Sequence, residues 1–136
     1  MKICTIPGVL EVTWREDVRA VVDTWLKYYV KLEEFKKAMI EIEIPYAKKH
    51  GATSWISNPS KAKEALSQEV QECTANELMP RWRKIGIKYF LIVTPEDSTV
   101  TRMSISGFSS KLSQHEIKFI EVSDFEDAIN WLKKNA

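Results

Sequence analysis

Glycine, cysteine and net charge are what this sequence has least of, and each shortage closes off a class of protein. The four glycines lie far apart, so no glycine-rich loop stands between a strand and a helix to cradle a phosphate. The two cysteines, Cys4 and Cys73, lack Cys-x-x-Cys spacing, which leaves neither a disulfide framework nor a thiolate metal site and points to a reducing cytoplasm. With 20 basic against 19 acidic side chains the net charge is +1, too weak a field to steer a polyanion, and nucleic acid is not expected as a partner. Long apolar runs are missing as well. The longest, Tyr89 to Val93, is far short of the roughly 20 residues that cross a bilayer, and no membrane partner is expected. The opening MKICTIPGVLEV is broken by Pro7 and Gly8 before an apolar run reaches signal-peptide length, so no export signal is expected. No metal-ligand spacing and no cofactor motif is present; neither a metal nor a cofactor is expected.

What is present is an ordinary globular composition in 136 residues, sufficient for one core. Val9 to Trp14 and Arg19 to Trp25 are rich in β-branched and aromatic residues and flank the charged turn Arg15, Glu16, Asp17, the pattern of a β-hairpin. From Leu32 the period becomes helical: Leu32, Phe35, Met39, Ile42 and Tyr46 form the apolar stripe, while Glu33, Glu34, Lys36, Lys37, Glu41 and Glu43 fall mostly between them. Pro45 predicts a kink or a break near Ile44, and Gly51 predicts the stop. Thr53 to Ser57 reads as a strand, with a turn at Asn58, Pro59 and Ser60. A second helix starts properly near Ser67, carries Leu66, Val70, Cys73, Leu78, Trp82 and Ile85 on its apolar face, bends or begins a new segment at Pro80 and ends at Gly86.

Tyr89 to Val93 is apolar without alternation, as in a parallel strand covered on both faces. Thr99 to Leu112 reads as a helix despite its serines and threonines, and Ile117, Phe119 and Val122 as a half-exposed strand near a sheet edge. Ser123 and Glu126 predict a capping box for a last helix that buries Phe125, Ala128, Ile129 and Leu132. No internal repeat, linker or low-complexity tract is read. Residues 1–136 are expected to form a single α/β domain: a mixed sheet, with an N-terminal antiparallel hairpin and parallel strands joined by right-handed crossovers, and about four helices.

Four stretches carry a family resemblance: LEEFKKAM at the first helix; WIS followed by NPSK; the block P-x-x-x-x-x-G-x-K-Y-x-x-x-V-x-P-E-D from Pro80 to Asp97; and the closing FEDAINWL. Together with the element order, they make the chain similar to the small bacterial proteins of the SpoIIAA-like, STAS-type superfamily, and it also resembles integron gene-cassette products. The resemblance implies a regulatory binding module, switched in the better-known members by phosphorylation of a Ser or Thr at the turn into the second helix. Ser60 occupies the similar turn, which makes it the candidate phosphosite. The regulators carry Asp-Ser-Thr-Gly there or a close variant, whereas this chain has Asn58, Pro59, Ser60 and Lys61 without a glycine. Other relatives of the fold hold small apolar ligands or lipids.

Open α/β sheets place ligands outside the carboxyl ends of their parallel strands. On that rule the candidate binding residues are Ser57, Asn58, Ser60, Thr94, Glu96 and Asp97, which supply hydroxyls, an amide and carboxylates; the same residues also suit turns and helix caps. Among the five tryptophans, Trp82 between Arg81 and Arg83 is the candidate for a partner surface, with Arg81 beside it. A nucleophilic enzyme would need Cys4 or Cys73 with His50 or His115. No local signature pairs them, and no catalytic residue is assigned. The first reading is therefore a non-enzymatic module that recognises a protein partner or a small ligand; the second is a homodimeric interaction protein with a tryptophan-rich interface; the third is a small enzyme.

Overall fold

The alternation of Leu10, Val12 and Trp14 with Glu11, Thr13 and Arg15 is realised as a strand, and the computed structural model, which describes residues 1–27, 30–59, 67–93 and 110–135, sets it second in a six-stranded mixed sheet. The strands are β1 (Lys2–Ile6), β2 (Leu10–Arg15), β3 (Ala20–Trp25), β4 (Ser54–Asn58), β5 (Tyr89–Val93) and β6 (Lys118–Val122), and they lie side by side in chain order. β1, β2 and β3 are antiparallel, and β3 to β6 are parallel. The expected hairpin is thus the second half of a three-stranded meander. Its first strand is short and ends at the Pro7–Gly8 turn, where Gly8 takes φ 73° and the Val9 N–H donates to the Ile6 carbonyl at 3.0 Å.

The first crossover is one unbroken helical run: α1 (Leu32–Lys36), a π-helical segment (Lys37–Glu43) and α2 (Ile44–His50). The second has the same build: α3 (Gln68–Cys73), a π-helical segment (Thr74–Leu78) and α4 (Met79–Ile85). Neither proline breaks its helix. A proline in a plain α-helix lacks its own N–H and clashes with the carbonyl four residues back. Here the turn before each proline is widened, and the residue preceding it donates five residues back, Ile44 N–H to the Met39 carbonyl and Met79 N–H to that of Thr74. Of the kink or break expected near Ile44, no break occurs, and the turn there is widened.

The two crossovers repeat each other at an offset of 35 residues, although no internal repeat is expected from the sequence. Pro45 matches Pro80 and Gly51 matches Gly86, and β4 pairs with β5 through residues 35 apart, Ser54 with Tyr89 and Trp55 with Phe90. Both helices end alike, with Gly51 at φ 69° and Gly86 at φ 98°. The following N–H reaches five residues back, Ala52 to the Ala47 carbonyl at 3.0 Å and Ile87 to that of Trp82 at 2.9 Å. The third crossover closes in the same way. Its described helical part, α5, covers residues 110–114, Glu116 takes the left-handed position at φ 61°, and Ile117 N–H donates to the Leu112 carbonyl at 3.1 Å. Residues 99–109 of the helix expected over Thr99–Leu112 lie outside the described residues.

The last helix, α6 (Phe125–Asn135), is capped by Asp124, whose Oδ1 accepts the Asp127 N–H at 2.8 Å, one residue later than the expected capping box at Ser123. Each parallel strand sends alternate residues to two cores. Val21, Trp55 and Phe90 face the helices of the crossovers, whereas Val22, Ile56 and Leu91 face α6 through Ala128, Ile129 and Leu132. Among the described residues, no helix is long and apolar enough to cross a membrane.

Candidate functional site

Asp23 is the fourth residue of β3, and its row runs straight across the sheet: Cys4 pairs with Val12, Val12 with Asp23, Asp23 with Ser57, and Ser57 with Ile92. Strand alternation puts Asp23 on the face of Val21 and Trp25, beneath the first crossover. Above it sits Glu43, the last residue of the π segment. Both carboxyls are inside the protein, Asp23 3% exposed and Glu43 0%.

Glu43 reaches that position because the π segment changes which residues face inward. The most deeply buried positions are Phe35, Met39, Glu43 and Ala47, four residues apart each time, with Ala38 and Ile44 buried beside them; in a plain α-helix that spacing drifts by about 40° per step. The widened turn cancels the drift. Ile42, expected in the apolar stripe, is consequently exposed at 38%, and Glu43, expected on the polar face, is buried. The second crossover buries Val70, Thr74, Leu78 and Trp82 at the same spacing. Glu43 therefore occupies the place that Leu78 fills in the next winding, and Asp23 lies in a row that continues through Ser57 to Ile92.

The Trp55 indole N–H donates to Asp23 Oδ2 at 2.9 Å. With both acids ionised, Asp23 Oδ1 and both Glu43 oxygens have no donor among the described residues. Two neighbouring carboxyls satisfy one another only when one holds a proton and donates it to the other. Burial first, then the negative charge of Asp23 and the hydrogen bond to it, push the Glu43 carboxyl well above its ordinary range. Burial also raises Asp23, opposed by its hydrogen bonds with Glu43 and Trp55. The arrangement suits a pair that shares one proton, with the stronger push toward the neutral form on Glu43. Cys4, in the same row, is pushed up to about 11 by burial and by Asp23, so it is a thiol and not a nucleophilic thiolate at neutral pH.

Of the residues expected to form a rim at the strand ends, Ser57 and Asn58 are among those described. Ser57 is buried in the Asp23 row, and Asn58 is half-buried beside Thr24 at the carboxyl end of β4. Ser60, Thr94, Glu96 and Asp97 lie outside the described residues. Trp82 is not a surface residue: it is 2% exposed, its ring lies 5.1 Å from Trp55 and 5.3 Å from Phe90, and so it belongs to the core beneath α4. Its position matches Ala47, which faces inward for the same helical reason. Arg81 is exposed, and its guanidinium donates to the Glu77 carbonyl at 2.7 Å. Trp14, Trp25 and Trp55 are buried as well, and Trp131 is half-buried.

The cysteines and histidines keep separate company. His50 stacks on Tyr46 at 3.9 Å and hydrogen-bonds the Tyr46 carbonyl through Nδ1 at 3.0 Å. Cys73 is pushed up to about 11 by burial and by Glu77. Among the described residues, no group of three or more His, Cys, Asp or Glu side chains could hold a metal ion.

Together these features define an α/β protein with βα units wound in sequence and a buried acid pair at the carboxyl end of its first parallel strand. No family model, no curated protein and no solved structure matches the chain.

Proposed function

We propose that this chain is a non-enzymatic binding or regulatory module of SpoIIAA-like type, working in a reducing cytoplasm and recognising a protein partner or small ligand at the carboxyl ends of its parallel strands. The supporting observation is the in-register end of β3 and β4, where Thr24 stands beside Asn58 at the carboxyl-terminal edge of the two central strands, with Ser57 and Asp23 paired one step inward. Ser60 follows Asn58 by two positions, and Thr94, Glu96 and Asp97 follow the end of β5, so the chain supplies further polar groups directly after those strand ends. In its sharpest form the module is switched by phosphorylation of Ser60.

The test is a fragment screen followed by amide NMR. Shifts concentrated on Thr24, Ser57 and Asn58 support the reading, whereas a consistent response at β1 or α6 sinks it. Ser60→Asp is expected to change the affinity of binders at that edge while moving stability by no more than about 0.5 kcal/mol.

A further inference from the structure

Two carboxyls occupy the interior of this sheet at places the fold itself fills with apolar or neutral groups. The 35-residue repeat supplies the comparison within one chain: Leu78 is fully buried where Glu43 is, and Asp23's row continues through Ser57 to Ile92. A leucine at 43 would satisfy the same packing without any hydrogen-bonding debt. The acid is also the last residue of a π-helical segment, so the residue that must be neutral to stay inside is the residue on which the wide turn is seated.

We propose that the Asp23–Glu43 pair is a proton-held latch: with one proton between the two carboxyls the Lys37–Glu43 segment is seated on the sheet, and loss of that proton releases it. The proton leaves Glu43 for solvent base, and the two carboxylates that remain face each other in the core, where, among the described residues, only the Trp55 N–H compensates them. The titratable groups bearing on Glu43 are Asp23 from β3 and Cys4 from β1, both acids, so neither offsets the second negative charge. Release uncovers Asp23 and its row neighbour Ser57. The latch does not depend on what, if anything, binds there.

The sign follows from linkage. The seated Glu43 holds its proton to a higher pH than the free side chain, whose ordinary value is 4.5. Seating is therefore at full strength below that value and weakens as pH rises toward the seated pKa, where each unit raises the opening constant about tenfold.

Hydrogen exchange of the amides of residues 37–43, expressed as protection factors from about pH 5 to about pH 9, reads this directly. The wild-type protein should lose protection in that segment by about tenfold per unit over part of the range, while α6 amides keep theirs. Glu43→Gln, which can still donate to Asp23, and Glu43→Leu, which copies the next winding, should both stay protected and flat with pH. The carbonyl stretch of a protonated carboxylic acid should appear in the infrared spectrum of the wild type at neutral pH and vanish in Glu43→Gln. Protection independent of pH in the wild type, or the same slope in both variants, overturns the proposal. Failure of both variants to fold also overturns it, because a latch can be removed and a keystone cannot.

Discussion

The Trp55 indole N–H donates to a buried carboxylate, with its Nε1 2.9 Å from Asp23 Oδ2. A hydrogen bond to a charged group contributes about 1.5–3 kcal/mol, and a buried acceptor left without its donor loses more than the bond itself. Trp55→Phe keeps an aromatic ring against Trp82 but removes the N–H and leaves a small void. The void costs the same at every pH, whereas the lost bond disfavours only ionised Asp23. The hydrogen bond works against the burial that raises Asp23, so its removal raises Asp23 further. Stability of Trp55→Phe should therefore fall below wild type by about 2–4 kcal/mol at neutral pH and by less near pH ~3, where both acids are protonated in both states. Urea titrations at the two pH values check this; an equal deficit at both would mean that packing alone is lost.

At the scale of elements, the π segments decide which residues are inside. Ile42→Lys is expected to change stability by no more than about 0.5 kcal/mol, since the side chain is exposed; a stripe at α-helical spacing would instead make it a core loss of about 2–5 kcal/mol. Chemical denaturation separates the two. The helix ends offer a second check. Gly51 and Gly86 hold the left-handed position without strain, but in the third winding Glu116 holds it, at φ 61°. Glu116→Gly should stabilise the protein by up to about 1 kcal/mol despite losing the ion pair with Arg83, which is exposed on both sides and contributes little. A destabilised Glu116→Gly would show that the third winding does not close like the other two.

These elements also show where the sequence could be read. Gly51, Gly86 and the unbroken apolar run of β5 act locally, through backbone freedom and burial on both faces, and their effects are visible residue by residue. Glu43 is different: its burial follows from a turn widened ahead of Pro45, and an α-helical period assigns it to solvent. The signal was available in the four-residue spacing from Phe35 to Ala47 and in its copy from Val70 to Trp82. That copy shares few identities beyond Pro45 with Pro80, Lys49 with Lys84 and Gly51 with Gly86, so similarity of residue type hides it. Asp23 and Glu43 lie 20 positions apart on a strand and a helix, and no spacing rule joins them before the fold is known. The arginine neighbours of Trp82 suggest a surface, although its position one turn beyond Leu78 puts it inside.

On the scale of the whole molecule, the two cores share one sheet. Val21 and Val22, Trp55 and Ile56, Phe90 and Leu91 are neighbours that face opposite ways, so a strand displaced on one side is displaced on the other. The α6 side is the thinner of the two: Ala128, Ile129 and Leu132 cover Ala20, Val22, Ile56 and Leu91, and a cation–π contact of Lys118 with Trp131 at 5.6 Å and an exposed ion pair of Lys133 with Asp17 at 3.5 Å add little. Leu132→Ala should cost about 2–4 kcal/mol through lost burial and a residual cavity. Four of the five tryptophans lie on the opposite core, so their fluorescence reports a face the substitution does not touch. If the domain unfolds as one unit, fluorescence and far-ultraviolet circular dichroism must shift together to the same lower denaturant midpoint. A fluorescence transition that stays in place while the helical signal melts early would mean that α6 is an independently opening layer, with β3, β4 and β5 held by the crossover helices alone.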